Sequence, residues 1–354
     1  MIDRLASRRA LVPGVLLALT LVSPAVAQSP LAPASSMAPV GSAGAGCATE
    51  PVSVAELPKL DTDPYFQAAF EGMQAAAAEI GGSVTKQAPS QATGDAQVPF
   101  INNVVSQGVG VIAIAGNDPN AVAPALKQAQ AAGVKVISFD SDVAPDARSL
   151  FISQADLSIL GDLMVQSMND LLGGKGEFAI LSSTPTATNQ NAWIAAIKDH
   201  LANDSQYAGL KLDTIVYGQE SEQVNQQQTR ALVAAYPNLK GIIVPAGIGL
   251  PAAARALEED GLIGQIKLTG LAPTSIMRKY IVDGSAQDIW WNVPDLGYLT
   301  YYAAQALAQC KITGAAGETF EAGHLGSYTV GADGLVLLGP ATVVTTENID
   351  SFPF

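Results

Sequence analysis

The feature that most constrains the fold of this chain is the repeated alternation of short β-branched runs with amphipathic segments of helical length. The runs lack a regular alternation of apolar and polar residues, which is typical of strands buried on both faces of a parallel sheet. Glycines follow several of the amphipathic segments, where they favour helix ends. The sequence therefore predicts an α/β fold with helices on both faces of parallel sheets. The predicted strands are 52–57, 83–87, 109–115, 134–140, 177–182, 212–217, 241–244 and 267–271, and the predicted helices are 64–80, 120–132, 157–172, 191–202, 223–235 and 251–260.

The same alternation indicates two lobes. It runs through several strand–helix units, pauses near residues 144–154, and then runs through a similar number again. A chain of 354 residues is longer than one hydrophobic core usually serves, so two doubly wound lobes are expected. Ligands of such sheets bind beyond the carboxyl ends of the strands, and those ends can face each other across a cleft. The informative residues are thus those that directly follow each strand.

The first residues indicate export from the cytoplasm. Arginines precede an apolar run that begins at Ala10, contains Pro13, and closes in an Ala-Val-Ala motif at residues 25–27. A basic region, an apolar region and an A-x-A cleavage site predict a signal peptide over residues 1–27, and the apolar run is too short for a retained membrane anchor. Residues 28–49 are rich in Ala, Ser, Pro and Gly, so we predict a flexible tether there. The mature protein is expected in the periplasm or at the cell surface.

Composition and missing motifs argue against several functions. The formal net charge of −14 opposes binding to nucleic acid, and two cysteines with two histidines make a Cys/His zinc cluster unfavourable. The sequence has no phosphate-binding loop, H-E-x-x-H motif or G-x-S-x-G motif. Asp140 and Asp142 would stand side by side on a continued strand, whereas glycoside hydrolysis needs carboxyl groups that flank the bond. We therefore predict a protein that is not an enzyme and that uses neither a metal nor a cofactor.

Polar and aromatic side chains collect at the ends of the predicted strands. They comprise an amine, a carboxylate, several amides and two indole rings. Planar polar groups bind hydroxyls in pairs, and aromatic faces cover the C–H side of a sugar ring. This inventory predicts a site for a small neutral polyol. The residues are Lys59, Asp140, Asn189, Gln190, Trp290, Trp291 and Asn292.

Most of these residues also have an interpretation that involves no ligand. Lys59 can be a solvated surface residue, and Asn189 can be the N-cap of a helix. Trp193 lies on a predicted helix and favours a core position. Strand alternation allows only one of Trp290 and Trp291 to face a cleft.

Cys47 has two interpretations at this point. It follows Ala45-Gly46, which loosely fits a lipoprotein acylation site, but it lies well beyond the apolar region that such a cysteine normally adjoins. The rival interpretation is a disulfide with Cys310, which an exported protein can form.

Much of the chain resembles the type I periplasmic sugar-binding proteins, which are the substrate-capturing subunits of ABC importers. The similarity is greatest to their rhamnose-binding and autoinducer-2-binding branch, and it covers essentially everything after residue 50. The segments that carry it are PKLDTDPYF (58–66), SFDSDVAPDARSLFISQA (138–155), TATNQNAWI (186–194), VPAGIGLPAAARAL (244–257), WWNVPDLGYL (290–299) and the tail over 322–350.

The resemblance implies two doubly wound parallel-sheet lobes joined by a three-segment hinge, with a ligand cleft between them. The chain would cross between the lobes near Ser153, Asp288 and Phe320. The amino-terminal lobe would combine residues 50–153 with 289–320, and the carboxyl-terminal lobe would combine 154–288 with 321–354. In that topology Cys47 and Cys310 would both lie at the far base of one lobe, which favours the disulfide.

The resemblance also implies ligand-binding positions. Lys59 and Asp140 would bind ligand hydroxyls, and one of the two adjacent tryptophans, taken as Trp291, would stack on the ligand together with Phe66. The backbone of Pro245 and its neighbours would line the pocket. The full set is Lys59, Phe66, Asp140, Asn189, Gln190, Pro245, Gly247, Trp291 and Asn292.

Three positions depart from the pattern of the resemblance. Asn189 stands where autoinducer-2 binders have an aspartate, Gly247 stands where alanine is usual, and Ala272-Pro273 stands where ribose-type relatives have an aspartate. The lost carboxylate favours an ordinary monosaccharide over autoinducer-2. Rhamnose is the first expectation, followed by other aldoses or a pentose.

The resemblance implies a monomer that captures a sugar, closes by hinge motion and delivers the sugar to a membrane permease. A sugar-responsive transcription regulator shares the fold, but the predicted signal peptide and tether occupy the place of its DNA-binding domain. An exported carbohydrate-processing enzyme is a third possibility, and the lack of an acid/base pair disfavours it.

Overall fold

The computed structural model describes residues 46–352. The predicted signal peptide and most of the predicted tether lie outside these residues. Within 46–352 we find no helix with the length and apolar character that a membrane span requires. The strands are β1 Ser53–Leu57, β2 Ser83–Lys86, β3 Val111–Ile114, β4 Lys135–Phe139, β5 Leu150–Ser153, β6 Gly176–Ser182, β7 Leu210–Tyr217, β8 Leu239–Val244, β9 Lys267–Gly270, β10 Ala286–Trp290, β11 Thr319–Glu321, β12 Ser327–Thr329, β13 Leu335–Leu337 and β14 Thr342–Val344. The helices are α1 Pro64–Ile80, α2 Gly94–Ser106, α3 Pro119–Ala131, α4 Leu157–Leu172, α5 Thr188–Asn203, α6 Glu222–Ala235, α7 Gly249–Glu259, α8 Thr274–Val282 and α9 Val293–Ala308.

Two six-stranded sheets form two lobes. In the first lobe the strand order is β13-β5-β4-β3-β1-β2, and the pairings are parallel. In the second lobe the order is β14-β10-β9-β8-β6-β7; β14 pairs antiparallel with β10, and the other pairings are parallel. β11 and β12 form a separate antiparallel hairpin. The predicted α/β class with two doubly wound lobes is confirmed.

Helices cover both faces of each sheet, which explains the continuous apolar runs of the strands. In the first lobe, α1 and α9 pack on one face of the sheet, and α2 and α3 pack on the other. In the second lobe, α4 and α5 cover one face, and α6, α7 and α8 cover the other. β3 shows the result, because its four residues are all buried. Burial on both faces leaves a strand no solvent-facing side, so polar alternation is lost.

The start of α1 sets the position of several site residues. Asp63 is the N-cap, and its Oδ1 accepts a hydrogen bond from the Tyr65 amide at 3.0 Å. Pro64 occupies the first turn, where its fixed φ and missing N–H suit a helix start. The cap therefore holds Tyr65 and Phe66 in the first turn of α1, shortly after β1 and at the carboxyl edge of the first sheet.

Helices α1 and α9 approach each other closely because glycines lie at their contact. A Cβ atom built on Gly72 would lie 1.8 Å from the carbonyl oxygen of Pro294, and one built on Gly297 would lie 1.8 Å from that of Ala69. Such distances are far below van der Waals contact, so neither position accepts a side chain without movement of the backbone. The pair fixes the helix that follows β10 against the helix that follows β1.

The chain crosses between the lobes after β5, after β10 and after β13, and the third crossing differs from the expectation. β10 stays in the second sheet through Trp290, slightly beyond the expected crossing at Asp288. β13 pairs with β5 in the first sheet, so the third crossing falls at residues 338–341 and not near Phe320. Residues 321–337 thus belong to the first lobe, because β13 extends the sheet along the edge of β5 and satisfies backbone groups that would otherwise stay unpaired.

A disulfide joins Cys47 to Cys310. The Ala48 amide donates to the carbonyl oxygen of Ala308 at 2.8 Å, so the segment before β1 is bound to the end of α9 by the backbone as well. A disulfide leaves Cys47 no free thiol for a lipid, which settles the two interpretations of this residue in favour of the cross-link.

Candidate ligand-binding site

A cavity of about 370 Å³ lies between the carboxyl ends of the strands of the two sheets. Its volume falls within the range of about 300–1,000 Å³ that is typical of small-molecule sites. The first lobe contributes the loop after β1, the start of α1 and the end of β4. The second lobe contributes the start of α5 and the loops after β7, β8 and β9, and the segment after β10 completes the lining.

Asp140 lies at the centre of a buried polar network. Its Oδ2 lies 3.1 Å from Lys59 Nζ and accepts a hydrogen bond from Asn189 Nδ2 at 3.3 Å. Its Oδ1 accepts from Gln154 Nε2 at 3.2 Å. Lys59 Nζ also donates to Asn189 Oδ1 at 3.3 Å. Because Lys59 and Asp140 belong to the first lobe and Asn189 to the second, this network joins the lobes.

Asp140 has a left-handed backbone conformation with φ of 59°. That conformation costs a residue with a Cβ atom roughly 1–2 kcal/mol. It persists because the Asp140 amide is held by the carbonyl oxygen of Ile152 at 3.1 Å. Strain of this kind is concentrated at functional sites. Asp142 differs, because two hydrogen bonds from Arg148 bind its carboxylate, which gives it a structural role in the turn.

Asn189 and Gln190 lie in the first turn of α5, and Ala187 is the N-cap of that helix. Asn189 is therefore not a cap. Gln190 Oε1 accepts from Ser182 Oγ at 2.7 Å and from the Ser183 amide at 2.8 Å. These bonds fix the orientation of the carboxamide, and the Nε2 group of Gln190 has no acceptor among residues 46–352. It is available to donate into the cavity.

Five aromatic residues line the cavity, and we call them the aromatic wall: Tyr65, Phe66, Trp193, Trp290 and Trp291. The Tyr65 ring packs edge-to-face on Phe66 and on Trp291, with centroid distances of 5.1 and 6.2 Å. Trp291 Nε1 donates to Tyr65 Oη at 3.3 Å. Trp193 is buried as expected for a core residue, yet it also lines the cavity. Both Trp290 and Trp291 reach the lining, because β10 ends at Trp290 and strand alternation no longer applies after it.

Three more carboxyl groups line the cavity, those of Asp63, Glu71 and Glu220. Glu71 is exposed, whereas burial raises the pKa of the other two. Burial, and next the charge of Glu220, raise the pKa of Asp63 to about 7. Burial also raises the pKa of Glu220, although the positive charge of Lys59 opposes the shift. Burial and the charge of Asp140 raise the pKa of Tyr65 as well. Near neutral pH the Asp63 carboxyl group can therefore hold a proton, and the Tyr65 hydroxyl keeps its own, so both can donate a hydrogen bond to a neutral hydroxylated ligand.

The predicted ligand-binding residues come together in this cavity, with one exception. Asn292 is not part of the lining, because its Oδ1 accepts from the Asp295 amide at 3.1 Å as the N-cap of α9. A side chain used as a helix cap is not free to bind a ligand through the same oxygen. The contacts of the lining residues with a ligand stay predictions. The predicted residues in the lining are Lys59, Phe66, Asp140, Asn189, Gln190, Pro245, Gly247 and Trp291.

Among the lining residues that sequence reasoning did not assign to the site are three with titratable side chains that face strong desolvation, Asp63, Tyr65 and Glu220. Asp63 before a proline is a recognisable N-cap signal, and Tyr65 adjoins a predicted residue. Glu220 follows the strand β7 and could have been found by the same strand-end criterion that singled out Asp140. Within residues 46–352 no group of three or more potential His, Cys, Asp or Glu ligands is arranged to hold a metal ion.

A family model described as a periplasmic binding protein domain matches residues 54–312. Among curated proteins, the D-ribose/D-allose-binding protein of Pseudomonas aeruginosa is 23% identical over 197 residues, which cover 53% of this chain and 59% of that protein. The match thus spans less than two thirds of that relative's length.

Three solved structures show the similarity over a larger share of the chain. An ABC transporter solute binding protein from Clostridium phytofermentas with bound L-rhamnose is 38% identical, with a TM-score of 0.82 and coverage of 85% of this chain and 98% of that one. A sugar ABC transporter protein from Actinomyces odontolyticus is also 38% identical, with a TM-score of 0.68 and coverage of 86% and 98%. LsrB from Clostridium saccharobutylicum in complex with AI-2 is 26% identical, with a TM-score of 0.79 and coverage of 86% and 100%.

Proposed function

Since the chain belongs to the family of periplasmic binding protein domains, we propose that it captures a neutral monosaccharide between its two lobes and delivers it to the permease of an ABC importer. Rhamnose is the first candidate, and other aldoses or a pentose come next. The proteins of this family that it resembles bind their substrates and are not enzymes. The chemistry required of this chain is accordingly recognition alone.

The observation that carries the proposal is a polar network and an aromatic wall in one cavity between the two sheets. The carboxylate of Asp140, the amine of Lys59 and the amides of Asn189 and Gln190 offer both acceptors and donors, as hydroxyl groups require. The rings of the aromatic wall offer apolar faces for the C–H side of a sugar. A cavity with a few convergent polar groups among apolar residues is the usual form of a small-molecule site.

The aromatic wall also supports a sugar with an apolar edge. A 6-deoxyhexose such as rhamnose has a methyl group where other hexoses have a hydroxymethyl group. We propose that this methyl group packs against the aromatic wall, where its burial contributes to affinity. The 38% identical relative with bound L-rhamnose supports the same choice.

Hydrogen bonds between the lobes support capture by closure. Asn189 of the second lobe bonds to Lys59 and Asp140 of the first. Thr186 Oγ1 of the second lobe donates to the carbonyl oxygen of Asn117 of the first at 2.8 Å. A ligand that contacts both lobes adds to these bonds and so favours the closed form. We propose that this closed form is the one that the permease recognises.

Autoinducer-2 is the second candidate, because an AI-2 complex is among the similar structures. The amide of Asn189 stands where the resemblance places a carboxylate, and this difference disfavours that ligand.

We further propose that the protein is exported by way of its amino-terminal segment and acts as a monomer.

Thermal-shift and calorimetric titrations of the purified mature protein test the proposal. The panel is L-rhamnose, D-ribose, D-allose, D-arabinose and autoinducer-2. A ligand that binds only the folded protein raises the melting temperature, so we expect the largest rise with L-rhamnose and a saturable heat of binding. Preferential binding of autoinducer-2 would favour the second candidate. If none of the monosaccharides binds, the proposal is wrong.

A further inference from the structure

Glu220 lies in the turn between β7 and α6, where the backbone is strained. Gln219 and Glu220 have φ angles of 56° and 49°, so two consecutive residues with side chains adopt the left-handed conformation. Glycine adopts this conformation without the steric cost that a Cβ atom brings. A turn that served only to connect a strand with a helix would gain stability from glycine at these positions. The presence of glutamate at Glu220 therefore needs another reason.

The surrounding structure fixes this turn. The amides of Gly218 and Gln219 donate to the carbonyl oxygens of Ser182 and Ser183, both at 2.8 Å, and so extend the pairing of β7 with β6. Ser221 then caps α6 through the Val224 amide. With the backbone held on both sides of Glu220, the direction of its side chain is set by the scaffold. That direction leads into the lining of the cavity.

The carboxyl group of Glu220 is incompletely bonded. Its Oε2 is shielded from solvent and has no hydrogen-bond partner among residues 46–352. An unpaired buried polar atom is unfavourable unless a ligand or a water molecule supplies the missing bond, and at the cavity surface a ligand can do so. Glu222, two residues further on, shows the usual state of an acidic residue: it is exposed and forms an ion pair with Arg255.

We propose that Glu220 binds the captured sugar directly and helps to determine which sugar is accepted, by hydrogen bonding one of its hydroxyl groups. This inference rests on the proposed function. The strained turn places the acidic group of Glu220 in the second lobe. In the autoinducer-2 binders that the sequence resembles, the second lobe has a carboxylate at the position of Asn189, which this chain lacks. The unpaired Oε2 then meets a hydroxyl hydrogen, and sugars that lack a hydroxyl at that place are rejected.

The neighbouring groups explain how an acidic side chain suits a neutral ligand. Lys59, Asp63 and Asp140 all act on Glu220 through their charges or are acted on by it. Burial raises the pKa of the Glu220 carboxyl group, with Lys59 and the hydrogen bond from Ser183 opposing the rise. The group can then donate a hydrogen bond when protonated and accept one in either state.

Three variants test the proposal with isothermal titration calorimetry. Glu220→Ala removes the carboxyl group, and Glu220→Gly also relieves the left-handed strain. Glu222→Gln is the matched control, since it changes an exposed acid two residues away. The ligand is the monosaccharide of the panel above that the wild type binds with the highest affinity, which we expect to be L-rhamnose. Monodeoxy derivatives of the same monosaccharide are titrated beside it.

We expect both Glu220 variants to bind about tenfold to a hundredfold more weakly, and to lose the wild type's discrimination against one monodeoxy sugar. Glu220→Gly should also melt at a higher temperature than the wild type, which would show that the loss of affinity does not come from unfolding. Glu222→Gln should bind like the wild type.

Two results would overturn the inference in distinguishable ways. If the wild type binds a monosaccharide and both Glu220 variants match its affinity and its ranking of deoxy sugars, the role of Glu220 is wrong and the proposed function stands. If the wild type binds no monosaccharide, the proposed function fails, and the role of Glu220 fails with it.

Discussion

Lys59 Nζ lies 3.1 Å from Asp140 Oδ2, and the two side chains are only 6% and 7% exposed. The residues are far apart in the chain, but each lies within two residues of the end of a strand of the first sheet, so the parallel topology brings them to one edge. A buried charge that loses its partner destabilises a protein by roughly 3–5 kcal/mol, so we expect the two side chains to hold each other in place in the cavity.

Replacement of Asp140 by alanine should weaken sugar binding and lower stability together. The variant leaves Lys59 buried without its counter-ion and removes an acceptor for ligand hydroxyls. We expect about a tenfold to hundredfold loss of affinity in calorimetry and a lower midpoint of urea unfolding. Asp146→Ala is the control, because Asp146 is exposed and its ion pair with Lys127 lies at the surface. Unchanged affinity in Asp140→Ala would contradict the assigned role.

Removal of the disulfide should reduce stability and spare ligand binding. Cys47 and Cys310 are separated by 263 positions, and cross-links that close long loops stabilise proteins by roughly 2–5 kcal/mol. The variant with serine at both positions should therefore unfold at lower urea concentration. Neither cysteine lines the cavity, so the affinity for sugar should stay within about twofold. Thiol titration of the unreduced wild type should find no free thiol, and two free thiols would refute the cross-link.

Glu56 should contribute stability that is lost as the pH rises. This residue lies in β1 without any exposed surface, and burial raises its pKa from 4.5 to about 8. Because the folded state holds the proton more tightly, the contribution is fully present below about pH 4.5 and is lost as the pH approaches 8. Urea unfolding of Glu56→Gln at several pH values should show a flatter dependence than the wild type. The exposed Glu347→Gln should retain the wild-type slope, and equal slopes for all three proteins would disprove the prediction.

Gly297→Ala should destabilise the first lobe. The new methyl group would lie 1.8 Å from the carbonyl oxygen of Ala69, so α9 would have to move away from α1. Overpacking of this kind typically lowers the free energy of unfolding by roughly 1–3 kcal/mol. Gly339→Ala is a matched control, since nothing lies within 4 Å of its Cβ position. If both variants melt at the wild-type temperature, the contact between α1 and α9 accommodates the added methyl group and the prediction is wrong.

Much of the fold follows from sequence patterns, because long buried strands and amphipathic helices have clear periodicities. The elements that escaped prediction have weak signals. β5 has four residues within a segment interpreted as a pause, and α2 begins with glycine and contains Pro99. α9 is buried over most of its surface, so it lacks the polar face that marks a helix in a sequence.

The site was predictable where its residues lie within two residues of a strand end, as Lys59 and Asp140 do. Position alone could not distinguish a ligand contact from a cap, and Asn292, which was predicted to bind the ligand, is the N-cap of α9 and lies outside the lining. Trp193 shows the converse error: it was predicted as a core residue and is buried, yet it also lines the cavity. The third crossing depends on β13, whose pairing with β5 is a long-range contact that no local pattern encodes.

The bonds between the lobes also bear on kinetics. Asn189 and Thr186 fasten the second lobe to the first on one side of the cavity. Under the proposed capture mechanism, a bound sugar leaves after these bonds break, so we expect the lifetime of the complex to depend on the rate at which the lobes separate as well as on the contacts with the sugar. Rapid release of the sugar at the membrane would then require that the permease, on binding the protein, favours separation of the two lobes.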